Sequence, residues 1–211
     1  MNIKVCGMKY PDNISALLKL EIDYIGLIQY PKSPRYCPLN NVDWSVIKRY
    51  DIEPIAVFVN CSSKQILETV KDTPIKTIQL HGEEPIRTCI ELKEMGYKVI
   101  KAFGIDAYFS WSICEEYTPY IDLILLDTKT PKYGGTGKKF DWEILKDYPY
   151  QTPFFLSGGI ELDDLSTIMN IAHKKLYGVD VNSRFEDSPG RKNIHNVNTL
   201  VEKIKDFHNT N

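Results

Sequence analysis

The sequence predicts an α/β chain folded as a single (β/α)8 TIM barrel, because eight short β-branched or apolar runs alternate with longer segments of helical period. That alternation also permits an open, doubly wound sheet, and periodicity alone does not separate the two. The strand count favours the closed barrel. The polar and glycine-rich strings fall after the strands, where a parallel barrel carries its chemistry. At 211 residues the chain suits one domain, residues 1–211; barrels of this kind take ~250 residues and run down to ~200, so the loops on the inactive face must be short.

The expected strands, in order, are Ile3–Cys6, Tyr24–Ile28, Pro54–Val59, Thr77–Leu80, Lys98–Phe103, Leu123–Asp127, Phe154–Leu156 and Leu176–Val181. Each is a brief run rich in Val, Ile, Leu or Phe, as strands buried on both faces require. Between them, Asp12–Leu20, Ser62–Lys71, Pro85–Met95 and Leu162–Ala172 repeat apolar residues at three- and four-residue spacing, with Lys, Glu and Asp on the other face. These segments are expected to be helices. Pro85 suits a first helical turn and Gly96 a C-terminal cap. Val197–Phe207 reads as a closing helix, followed by a polar tail from His208 that should fray.

Twenty-six basic and 28 acidic residues leave a formal charge of −2, so no global field recruits nucleic acid or an anionic membrane. An anionic ligand must be held by local donors. The opening MNIKVCGMKY lacks the apolar run of a signal peptide, and no stretch approaches the ~18 apolar residues that span a bilayer, so a cytoplasmic location is expected. The cysteines, at positions 6, 37, 61, 89 and 114, are odd in number and never spaced as C-x-x-C, and the histidines are scattered. A disulfide framework and a metal site are therefore not expected. The partner indicated is a small-molecule phosphorylated substrate, with the chain a monomer or homodimer.

At the strand ends stand Cys6-Gly7-Met8, Pro31-Lys32-Ser33-Pro34-Arg35-Tyr36, Gln79-Leu80-His81-Gly82, Asp127, Ser157-Gly158-Gly159 and Asp180-Val181-Asn182-Ser183. Gly158 and Gly159 let backbone approach an anion, and Asn182 and Ser183 add polar donors at the next strand end, a pair that resembles a barrel phosphate site. Proton transfer needs an acid and a base on opposite sides of the reacting atoms, and the ends of strands one and six offer Cys6 and Asp127. A free thiol titrates near ~8.5 and must gain thiolate character from cations or dipoles to act as a base; residue type alone leaves Asp127 open as a loop cap. Arg35, after Ser33-Pro34, is placed to aim a guanidinium at a carboxylate, while Gln79 and His81 are candidate substrate contacts, His81 as a ligand or acid. The string Tyr133-Gly134-Gly135-Thr136-Gly137-Lys138-Lys139 lacks the leading glycine and the hydroxyl residue of a P-loop, and reads instead as a mobile active-site loop.

Taken in order, these strings resemble the phosphoribosylanthranilate isomerase family of tryptophan biosynthesis. Lys4-Val5-Cys6-Gly7 is similar to that family's K-[IV]-C-G opening, Pro31 to Tyr36 to its P-K-S-P-R-Y loop, and Ile78 to Glu83 to its [VI]-Q-L-H-G-[DE] segment. Asp127 with Gly134-Gly135-Thr136-Gly137 and Phe140-Asp141-Trp142, then Leu156 to Ile160 and Gly178 to Val181, complete a likeness that runs from residue 3 to Pro189-Gly190. The resemblance implies an Amadori rearrangement of N-(5-phosphoribosyl)anthranilate to the 1-deoxyribulose 5-phosphate, without metal or organic cofactor. It implies Asp127 as general acid, Cys6 as general base, Arg35 on the anthranilate carboxylate and Asp180 beside the aminobenzoate end. Gly158, Gly159, Asn182 and Ser183 would then cradle the phosphate.

Two departures from the pattern are visible. Asn182, Ser183 and Arg184 stand where the family commonly has two serines and a glycine, and Gln29 replaces an aromatic or aliphatic residue. Arg184 is expected either to turn outward or to add a phosphate contact. The nearest rival, the histidine-pathway isomerase, resembles a design with carboxylates at both strand ends, which Cys6 counts against. A catalytically silent, metabolite-binding barrel would be free to lose either proton-transfer residue, and both are kept.

Overall fold

The structure, a computed structural model, describes residues 1–129, 139–171 and 173–210. Among them, parallel strands β1 (Asn2–Cys6), β2 (Tyr24–Ile28), β3 (Glu53–Phe58), β4 (Thr77–Leu80), β5 (Lys98–Ile105), β6 (Leu123–Thr128), β7 (Phe154–Leu156) and β8 (Leu176–Val181) form a closed barrel in chain order. Closure is made by β1 against β8, with Ile3 opposite Val179 and Lys4 opposite Asp180. The barrel expectation holds, and the strand boundaries agree to within two residues. β5 runs on to Ile105 because Gly104 and Ile105 still pair with Asp127 and Thr128 of β6.

Strand period two divides the apolar residues into two cores. Ile55 and Val57 of β3, Ile100 and Ala102 of β5, Leu125 of β6 and Phe155 of β7 fill the barrel interior, with Tyr24, Leu123 and Tyr177 packed against them. At the floor Phe155 meets Tyr24 and Tyr177 edge-on, at 5.6 and 5.2 Å, and the two tyrosine hydroxyls share a 2.5 Å hydrogen bond. The alternate residues, such as Ala56, Phe58, Ile124 and Leu126, join the larger core beneath the helices. The interior is thus plugged from below. Inward-facing residues that come later along each strand, Cys6 on β1 and Asp127 on β6, are left at the open upper end.

The helices are α1 (Pro11–Leu17), α2 (Trp44–Ile47), α3 (Ser63–Val70), α4 (Ile86–Glu94), α5 (Ser112–Glu115), α6 (Leu165–Ile171) and α7 (Ile194–Thr210). Ser62 and Gln65 cap α3 reciprocally. Pro85 is the residue before α4 rather than inside its first turn, and Gly96 ends that helix at φ +85° with its N–H on the Lys93 carbonyl. α2 and α5 are single turns, and a 3-10 segment at Trp142–Asp147 stands between β6 and β7. α7 continues to Thr210, past the expected end at Phe207. One element was not expected: β9 (Glu186–Ser188) and β10 (Arg191–Lys192) make a hairpin after β8 that turns at Pro189-Gly190, with Gly190 at φ +86°. Strands of three and two residues are too short to show period-two alternation.

Candidate active site

Lys4 and Cys6 are two apart on β1 and share its inward face. The fully buried Lys4 ammonium donates to Asp180 Oδ1 of β8 at 2.9 Å. Gly26 on β2 makes room for the thiol, since a Cβ there would stand 2.7 Å from Cys6 Sγ. Across the barrel, Asp127 continues the inward series Leu123, Leu125 of β6. Its Oδ2 lies 3.3 Å from His81 Nε2, just beyond β4, and its Oδ1 accepts the Thr128 N–H at 2.8 Å. Gln79, buried one inward position below His81, sets its Nε2 2.8 Å from His81 Nδ1. With that amide donating, Nδ1 is the bare nitrogen and Nε2 carries the proton facing Asp127. Asp127 is therefore held by a two-residue bracket.

Cys6, His81, Asp127, Gly158, Gly159, Asp180, Asn182 and Ser183 all line one cavity of ≈ 730 Å³, a volume that includes solvent at its mouth. Val57, Ile28 and Ile160 give it apolar walls. The β7–α6 turn contributes Gly158 at φ +96° and Gly159 at φ +68°, conformations open to glycine at little cost. They leave no side chain between the backbone and the cavity. A Cβ on Gly158 would sit 2.4 Å from Thr128 Oγ1 and 3.1 Å from Asp127 Oδ1, so this turn and the Asp127 strand end are packed as one. A second, wider groove lies at the other end of the barrel, around Ile3, Leu20, Tyr50 and Val201. Part of its charge is committed to structure, with Asp23 accepting from the Ile3 N–H and Lys205 paired to Glu21.

Two sequence-derived candidates sit outside the cavity lining. Gln79 is beneath His81. Arg35 sends Nε and Nη2 to Glu186 of β9 at 2.8–3.0 Å, a bidentate pair almost closed to solvent, so its guanidinium already holds a carboxylate within the protein. Glu186 also accepts from the Gly190 N–H and from Lys192 Nζ at 2.6 Å, and Lys192 reaches Asn182 Oδ1 at 2.7 Å. Gly7, at φ +78°, fits against this group: a Cβ there would meet Arg35 Cδ at 2.7 Å and Asn182 Oδ1 at 2.8 Å. Arg184 lines the cavity rim and pairs through Nε with Glu161 Oε1 at 3.2 Å. Gln29 satisfies its buried amide on the Leu27 and Cys37 carbonyls. Tyr133 to Lys138 of the glycine-rich string lie outside the described residues.

Sequence reasoning did not single out Lys4, Glu186 or Lys192. Lys4 was legible, because a lysine two residues before a strand-end cysteine must face the same way. Glu186 and Lys192 gave no such signal, since their relevance depends on the unread hairpin.

Burial pushes the Cys6 thiol up from its ordinary value, with Lys4 and Lys192 pulling it down and Asp180 reinforcing the rise. Burial likewise raises the Asp180 carboxyl against the pull of Lys4. Burial would lower Lys4, but Asp180 and Cys6 outweigh it and hold the ammonium above its usual range. Lys192 is lowered by burial to about 8, despite Glu186. The arrangement suits proton transfer between groups on opposite walls, over a glycine-lined anion pocket. Among the described residues no cluster of three His, Cys, Asp or Glu side chains is disposed to hold a metal ion, and no helix is long and apolar enough to cross a membrane.

The model of the N-(5'-phosphoribosyl)anthranilate isomerase family matches residues 3–203. The N-(5'-phosphoribosyl)anthranilate isomerase of Parabacteroides distasonis is 37% identical over 206 residues, covering 97% of this chain and 93% of its own. That of Phocaeicola vulgatus is 39% identical over 210 residues, covering 97% and 98%. The crystal structure of phosphoribosylanthranilate isomerase from Thermotoga maritima superposes with a TM-score of 0.81 at 31% identity, covering 98% of this chain and 99% of that one. A structure of such an isomerase in complex with reduced 1-(o-carboxyphenylamino)-1-deoxyribulose 5-phosphate superposes with a TM-score of 0.77 at 27% identity, covering 98% and 99%.

Proposed function

Because the chain belongs to the N-(5'-phosphoribosyl)anthranilate isomerase family, we propose that it performs the family's aldose-to-ketose rearrangement in tryptophan biosynthesis with Cys6 as general base and Asp127 as general acid. One observation carries the assignment: a thiol and a carboxylate from β1 and β6 line the same cavity as the paired glycines. Asp127 protonates the ribose ring oxygen, the C1′–O bond breaks, and the anilino nitrogen's lone pair closes a Schiff base. Cys6 then removes the C2′ proton, whose electron pair moves toward nitrogen to give an enolamine. Loss of the C2′ hydroxyl proton and protonation at C1′ complete the ketose.

His81, fixed by Gln79, orients Asp127 toward the substrate. Lys4 opposes the burial that holds the Cys6 proton in place, and the cationic Schiff base makes the C2′ proton acidic only after ring opening. Gly158, Gly159, Asn182 and Ser183 receive the phosphate, Asp180 borders the aminobenzoate, and Arg35 shares its guanidinium between Glu186 and the anthranilate carboxylate. In this reading the chain is one cytoplasmic domain, a monomer or homodimer, needing no cofactor. The Thermotoga maritima relative is described as dimeric. Supplying purified protein with phosphoribosylanthranilate and, separately, with the histidine-pathway aminoaldose tests the assignment. Turnover of the first supports it, and turnover of the second alone overturns it.

A further inference from the structure

Lys192 has the least accessible charged side chain of the β9–β10 hairpin, and no step of the reaction above employs it directly. Its backbone is clamped by the buried Asn13, whose Oδ1 accepts the Lys192 N–H at 2.7 Å and whose Nδ2 donates to the Lys192 carbonyl at 2.9 Å. Its Nζ is closed to solvent and donates to Glu186 Oε1 at 2.6 Å, Asn182 Oδ1 at 2.7 Å and the Asn182 carbonyl at 3.3 Å. That same Asn182 Oδ1 stands 2.8 Å from where a Gly7 Cβ would be. The ammonium therefore lies directly behind the Cys6–Gly7 turn.

Charge matching around that turn is uneven. Lys4 is paired with Asp180, whereas Glu186 serves both Lys192 and Arg35. Two cations over one carboxylate leave one positive charge beside a buried thiol, where the low local dielectric makes it count. Burying a lysine costs free energy that a hydrophobic residue of similar length avoids, so a role in packing alone does not explain it.

Resting on the reading of Cys6 as the base, we propose that Lys192 is a positioning residue: locked behind the Cys6–Gly7 turn by Glu186 and Asn182, it supplies positive charge that favours the Cys6 thiolate. The groups that face the thiol are Lys4 and Asp180 as well as Lys192, and those that face Lys192 are Glu186, Arg35 and Cys6. Direct charge interaction between Lys192 and Cys6 lowers the thiol and raises the ammonium, in keeping with this geometry.

The test compares wild type with Lys192→Met, near in length but uncharged, and Lys192→Arg, which keeps the charge. Alkylation of the Cys6 peptide by iodoacetamide is followed against pH by mass spectrometry, which separates it from the other cysteines, alongside kcat, KM and the thermal midpoint. Lys192→Met should move the Cys6 alkylation midpoint up by about one pH unit or more and lower kcat. Lys192→Arg should return both toward wild type even if its thermal midpoint is reduced as much. Coinciding alkylation profiles for wild type and Lys192→Met, with only KM raised, would leave Lys192 as a strut for the Asn182 loop and overturn the proposal. Should Lys192→Met not fold, Lys192→Gln, which keeps a donor without the charge, makes the same comparison. Cys6→Ala is measured in parallel: if it stays active the acid–base reading itself fails, whereas an inactive Cys6→Ala with unmoved Lys192→Met profiles sinks this inference alone.

Discussion

Replacing Gly158 by alanine should damage stability and chemistry together, and Gly96→Ala isolates the two causes. Both glycines have positive φ, +96° and +85°, but a Cβ at Gly96 meets nothing within 4 Å. Forcing an L-residue into that region costs about 1–2 kcal/mol, which is the whole expectation for Gly96→Ala. At Gly158 the new carbon would lie 2.4 Å from Thr128 Oγ1 and 2.7 Å from Thr128 N. Overpacking of that kind adds about 1–3 kcal/mol, for a sum of about 2–5 kcal/mol against a total stability of ~5–15. At roughly 2–4 °C per kcal/mol for a chain of this size, the midpoint should fall by about 4–20 °C. Relief of the clash must push the end of β6, and displacing a catalytic group by about 1 Å costs on the order of 10²-fold. Steady-state kinetics and thermal unfolding of both variants give the answer. A Gly158→Ala enzyme with wild-type kcat and no greater loss of stability than Gly96→Ala would refute the coupling between this turn and Asp127.

Arg35→Ala should chiefly raise KM, by roughly ten- to a hundredfold from the loss of a charged hydrogen-bonded partner, and an unchanged KM removes Arg35 from substrate binding. Arg184, half exposed and paired with Glu161, should matter little: Arg184→Gly is expected to change KM at most a few-fold, and a loss above roughly 30-fold, about 2 kcal/mol, would place its guanidinium on the phosphate. Glu186 predicts a pH effect. Burial alone would push its carboxyl up, but Arg35 and Lys192 hold it below the ordinary value. A carboxyl whose folded value lies below its unfolded value of ~4.3 contributes stability that is complete above that pH and lost as pH falls through the folded value. Unfolding free energy below about pH 4.5 should therefore drop more steeply for wild type than for Glu186→Gln, and parallel slopes would contradict the sign.

The barrel was legible because its evidence is local. Apolar runs such as Leu123–Asp127 and the helical period of Ser62–Lys71 are written in consecutive residues, and Cys6 and Asp127 stand at strand ends by simple counting. Pairings between distant segments were not legible. That Gly26 exists to clear the Cys6 sulfur, or that Gly158 abuts Thr128, depends on neighbouring strands meeting in register. The Arg35–Glu186–Lys192 group joins the loop after β2 to a hairpin of five strand residues whose own pattern is too short to read. The sequence offers Arg35 as a guanidinium aimed at a carboxylate, but does not show that Glu186 within the chain is a carboxylate it holds.

The division of labour between Cys6 and Asp127 is tested most directly by single-turnover conversion of phosphoribosylanthranilate by Cys6→Ala and Asp127→Asn, with circular dichroism confirming that each variant folds. The account predicts that each rate falls by about 10²-fold or more, as loss of a general acid or base typically produces. A near-wild-type single-turnover rate in either variant would contradict the role assigned to that residue.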